Sequence, residues 1–308
     1  MNPIEVSQLS YRYGRVLALR DVDLVVPEGA LYALLGPNGS GKTTLLQILM
    51  GLRRPAGGRA EVLGVDSANL GLRERGRVGY VAEGQALPGW MRLSQLEAYL
   101  APLYETWDAQ LAGDLRERFA LDPTRKIRTL SRGERMKAAL LCALAPRPKV
   151  LVMDEPFTGM DALVKDDLVR GLLASSASEG CTILLCSHDI GELELLADWL
   201  GFLDHGTMTL SAPMDRVREE FTRVDVTLPG DGTLTGAGPL PPEWMSAETA
   251  GRHVGFVMRA DSRAAAERIV RARLGEGAEI ELRDASLREI FVALASRRAA
   301  QQPTGAAA

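Results

Sequence analysis

Residues 30–44 read Ala30-Leu31-Tyr32-Ala33-Leu34-Leu35-Gly36-Pro37-Asn38-Gly39-Ser40-Gly41-Lys42-Thr43-Thr44, and their order decides the fold. The apolar run Ala30 to Leu35 shows no polar alternation, the pattern of a strand buried on both faces of a sheet. It leads directly into a glycine-rich stretch, Gly36 to Thr43, that fits GxxxxGK[ST]. From Lys42 to Gly51 apolar residues recur with helical spacing, and Pro55 and Gly57-Gly58 follow the stop at Gly51. A strand, a glycine loop and a helix N-terminus in this order form a nest of inward-pointing N–H groups suited to a phosphate. In such a nest Lys42 reaches the β- and γ-phosphates and the Thr43 hydroxyl holds Mg²⁺. Gly36, Pro37, Asn38, Gly39, Ser40, Gly41, Lys42, Thr43 and Thr44 are therefore candidate nucleotide-binding residues. The plain alternative is a glycine-rich turn that happens to precede Lys-Thr, and the flanking strand and helix argue against it.

Working outward, Ile4-Glu5-Val6 and Val22-Asp23-Leu24-Val25-Val26 alternate as half-buried strands do. Val150-Leu151-Val152-Met153 and Thr182-Ile183-Leu184-Leu185-Cys186 are two more buried-strand candidates. Strands interleaved with helices predict a parallel, doubly wound α/β sheet, preceded here by N-terminal antiparallel strands. The second buried run ends in Asp154-Glu155, which places two carboxylates at the sheet edge where open α/β folds bind ligands. Asp154 suits a Mg²⁺ shell, and Glu155 suits orienting a water at a γ-phosphate. His188 leaves the 182–186 strand at the same edge. Between about 88 and 148 strand signals vanish, and Leu93–Tyr104, Asp108–Ala120 and Ser131–Ala145 read as helices of an insertion. The last of these opens on Leu130-Ser131-Arg132-Gly133-Glu134, where Ser131-x-x-Glu134 is a capping box and the free helix end is an anion receptor.

Past Leu210 the texture changes. Strands at Val224–Leu228, Gly255–Arg259 and Ala278–Leu282 and helices at Arg263–Leu274 and Ser286–Arg297 predict a small α+β domain. The expected organisation is a nucleotide-binding domain over 1–222, a C-terminal domain over 223–298 and a disordered tail over 299–308.

Composition excludes other classes. The chain has 308 residues, 46% hydrophobic and 25% charged, which is the make-up of an ordinary globular protein. Its formal charge of −4 argues against a general nucleic-acid binder, so no nucleic-acid partner is expected. The longest apolar run, Ala138 to Pro146, is about half of what a membrane-spanning helix needs. Met1-Asn2-Pro3-Ile4-Glu5 lacks the basic start and apolar core of a secretory signal. Cys142, Cys181 and Cys186 form no CxxC pair, which predicts reduced thiols and a cytoplasmic protein.

Ordered together, these motifs resemble the ATP-binding cassette (ABC) ATPases over roughly residues 3 to 225. Leu130-Ser131-Arg132-Gly133-Glu134 is similar to the LSGGQ signature, and Arg12-Tyr13-Gly14 to the adenine-stacking aromatic loop. Phe157-Thr158-Gly159-Met160-Asp161 is similar to the D-loop, and His188 falls where the switch histidine belongs. The resemblance implies ATP and Mg²⁺ as ligands, with Glu155 and His188 catalytic and with Tyr13, Ser131, Arg132, Gly133, Glu134 and Asp161 contributing to the nucleotide site. It implies two ATPase domains closing head to tail, so that Ser131 and Gly133 of one meet the γ-phosphate held by Lys42 of the other. One set of motifs then requires a homodimer or a heterodimer with a related ATPase. Without a membrane span, it also requires a transmembrane permease subunit as a separate chain, which would place this protein on the cytoplasmic face of the cell membrane. Ser286-Leu287-Arg288-Glu289-Ile290-Phe291-Val292-Ala293-Leu294 is similar to the end of bacterial ABC-2-type exporter ATPases, which implies export.

Three motifs depart from the family pattern, the D-loop by having Gly159-Met160 in place of the usual residues before Asp161. Arg132 and Glu134 stand where Gly and Gln are commonest, and Glu83 stands at the usual glutamine after Val78-Gly79-Tyr80-Val81-Ala82, with Gln85 two residues on. A carboxylate suits a hard cation, so Glu83 is assigned with Thr43 and Asp154 to the metal. Leu87-Pro88-Gly89-Trp90-Met91 is apolar for a loop, which fits either local packing or docking of the membrane partner. Two other functions share many of these motifs: a soluble ABC-type ATPase acting on nucleic acid or ribosomes, and a nucleotide-binding regulatory module with little hydrolysis.

Overall fold

The computed structural model describes residues 2–158, 160, 165, 167–171, 180–188, 190–194, 196–229, 241, 243–274 and 277–299. They divide into two compact units, Met1–Ser211 and Ala212–Ala308. Phe221, within the expected first domain, pairs with Arg259 in the second unit's sheet. The tail expected at 299–308 lies, apart from Ala299, outside the described residues.

In the first unit, β1 (Ile4–Tyr13) and β2 (Val16–Val26) pair antiparallel. With β4 (Gly57–Val62) and β5 (Val65–Asp66) they form a sheet of order β2-β1-β4-β5. The main sheet has the order β10-β9-β3-β8-β7-β6. Its strands are β3 (Leu31–Leu35), β6 (Val78–Val81), β7 (Val150–Asp154), β8 (Thr182–Ser187), β9 (Trp199–Asp204) and β10 (Thr207–Pro213). The run from β9 through β3, β8 and β7 to β6 is parallel throughout. Every residue of β3, β7 and β8 is buried, as their unbroken apolar runs require.

Helix α1 (Lys42–Leu49) follows β3 and packs Leu45, Leu46, Ile48 and Leu49 into a core shared with Ile4, Leu9, Val22, Leu34, Val152 and Leu184. That core lies between the antiparallel strands and one face of the parallel sheet. After the short α2 (Leu72–Arg75) come α3 (Leu93–Leu100), α4 (Ala109–Arg118) and α5 (Arg132–Leu144), the expected helical insertion. Helix α3 ends before Tyr104 because Pro102 turns the chain into a 3₁₀ segment, Ala101–Leu103. Asp108 caps α4 by accepting the Gln110 and Leu111 N–H groups, and Ser131 caps α5. A short α6 (Ile190–Leu193) follows β8.

The second unit contains α7 (Met214–Glu220), β11 (Phe221–Thr227), β12 (Met245–Ala250), β13 (His253–Arg259), α8 (Arg263–Leu274), β14 (Glu279–Asp284) and α9 (Leu287–Ala299). Its sheet is antiparallel in the order β12-β13-β11-β14. Val224, Val226, Trp244, Phe256, Met258, Ala266 and Val270 form its core, where the Trp244 and Phe256 rings stack 4.2 Å apart. Among the described residues no helix is long and apolar enough to cross a membrane. The three cysteines are free thiols, and burial pushes the Cys142 thiol up to about 12.

Candidate functional site

Parallel register gathers the candidate residues at one edge. Leu35 aligns with Ser187, and Asp154 with Cys186, so β3, β8 and β7 end level with one another. The loop 36–41, the acids 154–155 and His188 all leave the sheet there.

The loop's shape depends on two kinds of glycine. Gly41 caps α1 at φ +107°, and a methyl group on it would lie 2.7 Å from the Ala18 carbonyl oxygen and 2.8 Å from Leu19. A methyl group on Gly36 would collide with the Leu203 carbonyl oxygen and approach Ser40 Oγ at 2.6 Å. The loop is braced from outside, since the Gly206 N–H donates to the Ser40 carbonyl at 2.8 Å. Lys42 Nζ donates to the carbonyls of Gly36 at 2.7 Å and Pro37 at 3.3 Å, so its buried ammonium curls back over the loop.

That ammonium also faces Glu155 Oε1 at 3.6 Å. The other carboxylate oxygen of Glu155 lies 2.7 Å from His188 Nδ1 and accepts the His188 backbone N–H at 3.3 Å. Thr158 Oγ1 donates to the same oxygen at 3.3 Å, a contact the sequence motifs do not single out. Glu155 adopts φ +50°, a left-handed conformation uncommon for a residue with a side chain.

Asp154 is buried, and the Thr43 side chain is near enough to favour its charged form. Burial raises the Asp154 carboxyl above its ordinary range, the Thr43 side chain opposes this, and the neighbouring charges of Glu155 and Glu83 add to it. Its Oδ1 is buried without a hydrogen-bond partner. An orphaned carboxylate oxygen beside a hydroxyl is a donor pair that fits a hard divalent cation. Among the described residues no group of three or more His, Cys, Asp or Glu side chains is arranged to hold a metal ion. Glu83 is exposed and lines a cavity of about 420 Å³ together with Gln85, Arg128, Arg132 and Glu155. Gln85 turns its side-chain oxygen onto the Ala82 N–H at 3.2 Å.

Tyr13 is held from three sides. Its hydroxyl lies 3.3 Å from Thr44 Oγ1, Tyr11 meets it edge-on at 5.0 Å, and the Arg53 guanidinium covers its ring at 4.8 Å. Arg53 is itself tied to Gln47 and, at 3.1 Å, to the Tyr11 hydroxyl.

Ser131, Arg132, Gly133 and Glu134 stand apart from the phosphate loop in their bonding. Ser131 and Glu134 cap one another at 3.1 and 2.7 Å, and Glu134 pairs with Arg125 at 2.5 Å. Gly159 and Asp161 lie outside the described residues.

A sheet edge carrying such a loop, with an ammonium and two carboxylates beside it, is the working end of a P-loop nucleotide-binding fold. The family model for the ABC transporter matches residues 19–158. The daunorubicin resistance ATP-binding protein DrrA3 of Streptomyces coeruleorubidus is 34% identical over 304 residues, 94% of this chain and 95% of that one. The sulfate/thiosulfate import ATP-binding protein CysA of Synechococcus elongatus is 36% identical over 208 residues, 66% of this chain, which spans 60% of that relative's length. A solved structure of the ATP-binding subunit of an ABC transporter superposes with a TM-score of 0.64 at 27% identity, covering 70% of this chain and 91% of that one. The chain belongs to the ABC transporter family, among its ATP-binding, ATP-hydrolysing proteins.

Proposed function

We propose that this chain energises an ABC exporter whose membrane-spanning subunits are separate chains. The observation that carries the hydrolytic part is the contact series Lys42–Glu155–His188 at the edge of the parallel sheet. Lys42 and the loop N–H groups bind the phosphates, and Tyr13 stacks on the base. Glu155 orients the attacking water and accepts its proton, while His188 holds the Glu155 carboxylate and faces the γ-phosphate. Thr43 and Asp154 would hold Mg²⁺, with Glu83 as a further ligand, and the metal would supply neutralisation of phosphate charge. Ser131 and Gly133 act on the nucleotide of a second ATPase subunit, identical or related, and Asp161 belongs to that dimer contact.

Export is supported by similarity to DrrA3 over both units and by the C-terminal stretch Ser286 to Leu294. The CysA match, to a protein named for import, is shorter. Trp90, 71% exposed, and the neighbouring Leu87 are the proposed contact with the membrane partner, which would hold this chain at the cytoplasmic face. Two measurements test the reading: Mg²⁺-dependent ATP hydrolysis by the purified chain, and its co-purification with a membrane protein. Hydrolysis near zero favours the regulatory-module alternative that Arg132 and Glu83 suggest, and recovery without any membrane protein counts against the transporter. Trp90→Ala should keep ATP hydrolysis and lose membrane recruitment, and unaltered recruitment refutes the docking role.

A further inference from the structure

Helix α5 begins with an acid at the end that is asked to receive a phosphate. Glu134 Oε2 accepts the Ser131 N–H at 2.7 Å, and this bond, followed by the Arg125 contact, holds the Glu134 carboxyl below its ordinary range. It is therefore an anion at neutral pH. A helix N-terminus carries the equivalent of roughly half a positive charge, which one full carboxylate outweighs. Left alone, Glu134 would repel the γ-phosphate that Ser131 and Gly133 are placed to contact.

Arg125 answers this charge from the loop before the helix. Its Nη1 lies 2.5 Å from Glu134 Oε1, and its Nη2 donates to the Thr129 carbonyl at 2.6 Å. The guanidinium thus spans the loop and covers the oxygen that the capping box leaves free. Ser131 and Arg132 remain exposed, so the helix end stays open. We infer that Arg125 is a charge-balancing positioning residue, which neutralises Glu134 so that the signature helix can accept the partner's nucleotide despite an acid at its start. The inference rests on the dimeric ATPase reading above. The pair is partly exposed, at 39% and 30%, and such pairs add little to stability, so its loss should be visible in nucleotide handling and not in folding.

The test is a double-mutant cycle on the full chain, with two readouts: the ATP concentration for half-maximal hydrolysis, and that for ATP-driven dimerisation in the Glu155→Gln background. R125A should raise both about tenfold with an unchanged melting temperature, R125K should recover most of the loss, and added salt should shrink it. R125A combined with E134Q should return both readouts to within about twofold of the parent, because the two opposing charges are then removed together. A defect that persists undiminished with E134Q overturns the inference, since Arg125 would then act through the Thr129 carbonyl. So does an R125A chain that behaves as the parent. A parent chain that neither hydrolyses ATP nor dimerises with it overturns the functional reading itself, and this inference with it.

Discussion

His188 Nδ1 lies 2.7 Å from one oxygen of Glu155, while the other oxygen of that carboxylate faces Lys42 Nζ at 3.6 Å. One carboxylate thus links the Lys42 ammonium to the His188 ring, with Thr158 as a third contact. If it accepts the proton of the attacking water, Glu155→Gln should keep ATP affinity and lower turnover at least about 100-fold. Size-exclusion chromatography with ATP should then recover a dimer. Full turnover in this variant would falsify the role given to Glu155.

Asp154 is expected to trade stability against metal binding. Burial raises its carboxyl, so the folded chain holds a proton that the unfolded chain has already released. Stability contributed at this site therefore falls as pH rises from the ordinary carboxylate range through the raised value. Asp154→Asn removes that penalty. Calorimetry in a chelator at neutral pH should show the melting temperature rise by about 2–4 °C, with Mg²⁺-dependent hydrolysis lost. A lower melting temperature would contradict the account.

The loop glycines separate steric need from conformational need. Gly36→Ala drives a methyl group into the Leu203 carbonyl and should abolish nucleotide binding. Gly39 sits at φ +79° with nothing within 4 Å of the position a methyl group would take. Gly39→Ala should cost only about 1–2 kcal/mol in denaturant unfolding and keep measurable ATP binding. Equal damage from the two substitutions would show that loop shape is set by backbone freedom alone.

Tyr13→Ala should weaken ATP binding about tenfold and leave binding of inorganic triphosphate unchanged, because only the base loses its stacking surface. Arg53→Ala should produce a smaller loss with the same base dependence, since Arg53 covers the Tyr13 ring without touching the phosphate loop. Titration of both ligands checks this, and a loss shared by the two would assign Tyr13 to the phosphates.

The parts of the fold legible in the sequence are those where a single segment carries its own signal. Ala30 to Leu35 is apolar throughout because β3 is covered on both faces, and Ser131-x-x-Glu134 announces a helix start that the structure forms. β4 escapes notice because Gly57-Gly58 looks like the break after α1. Yet a methyl group on Gly58 would run into the Gln8 carbonyl, so glycine there allows β1 and β4 to approach. β12 lacks apolar alternation, its last three residues, Glu248, Thr249 and Ala250, being exposed, so the second sheet reads from sequence as one strand short. Arg53 on Tyr13, at a separation of 40 residues, is invisible as a motif because it depends on where the folded chain returns, whereas Thr158 lies only three residues from Glu155 and its contact depends on side-chain orientation, which no motif states.

The internal hydrogen bonds of Lys42 have a thermodynamic consequence. Its ammonium already rests on the Gly36 and Pro37 carbonyls, and the loop beneath it is tied to Gly206. The receptor is shaped before any ligand arrives, so association exchanges one set of bonds for another instead of ordering a coil. Heat released on binding should consequently be modest per phosphate, because part of it offsets the Lys42 bonds that are given up, a cost shared by every phosphate ester.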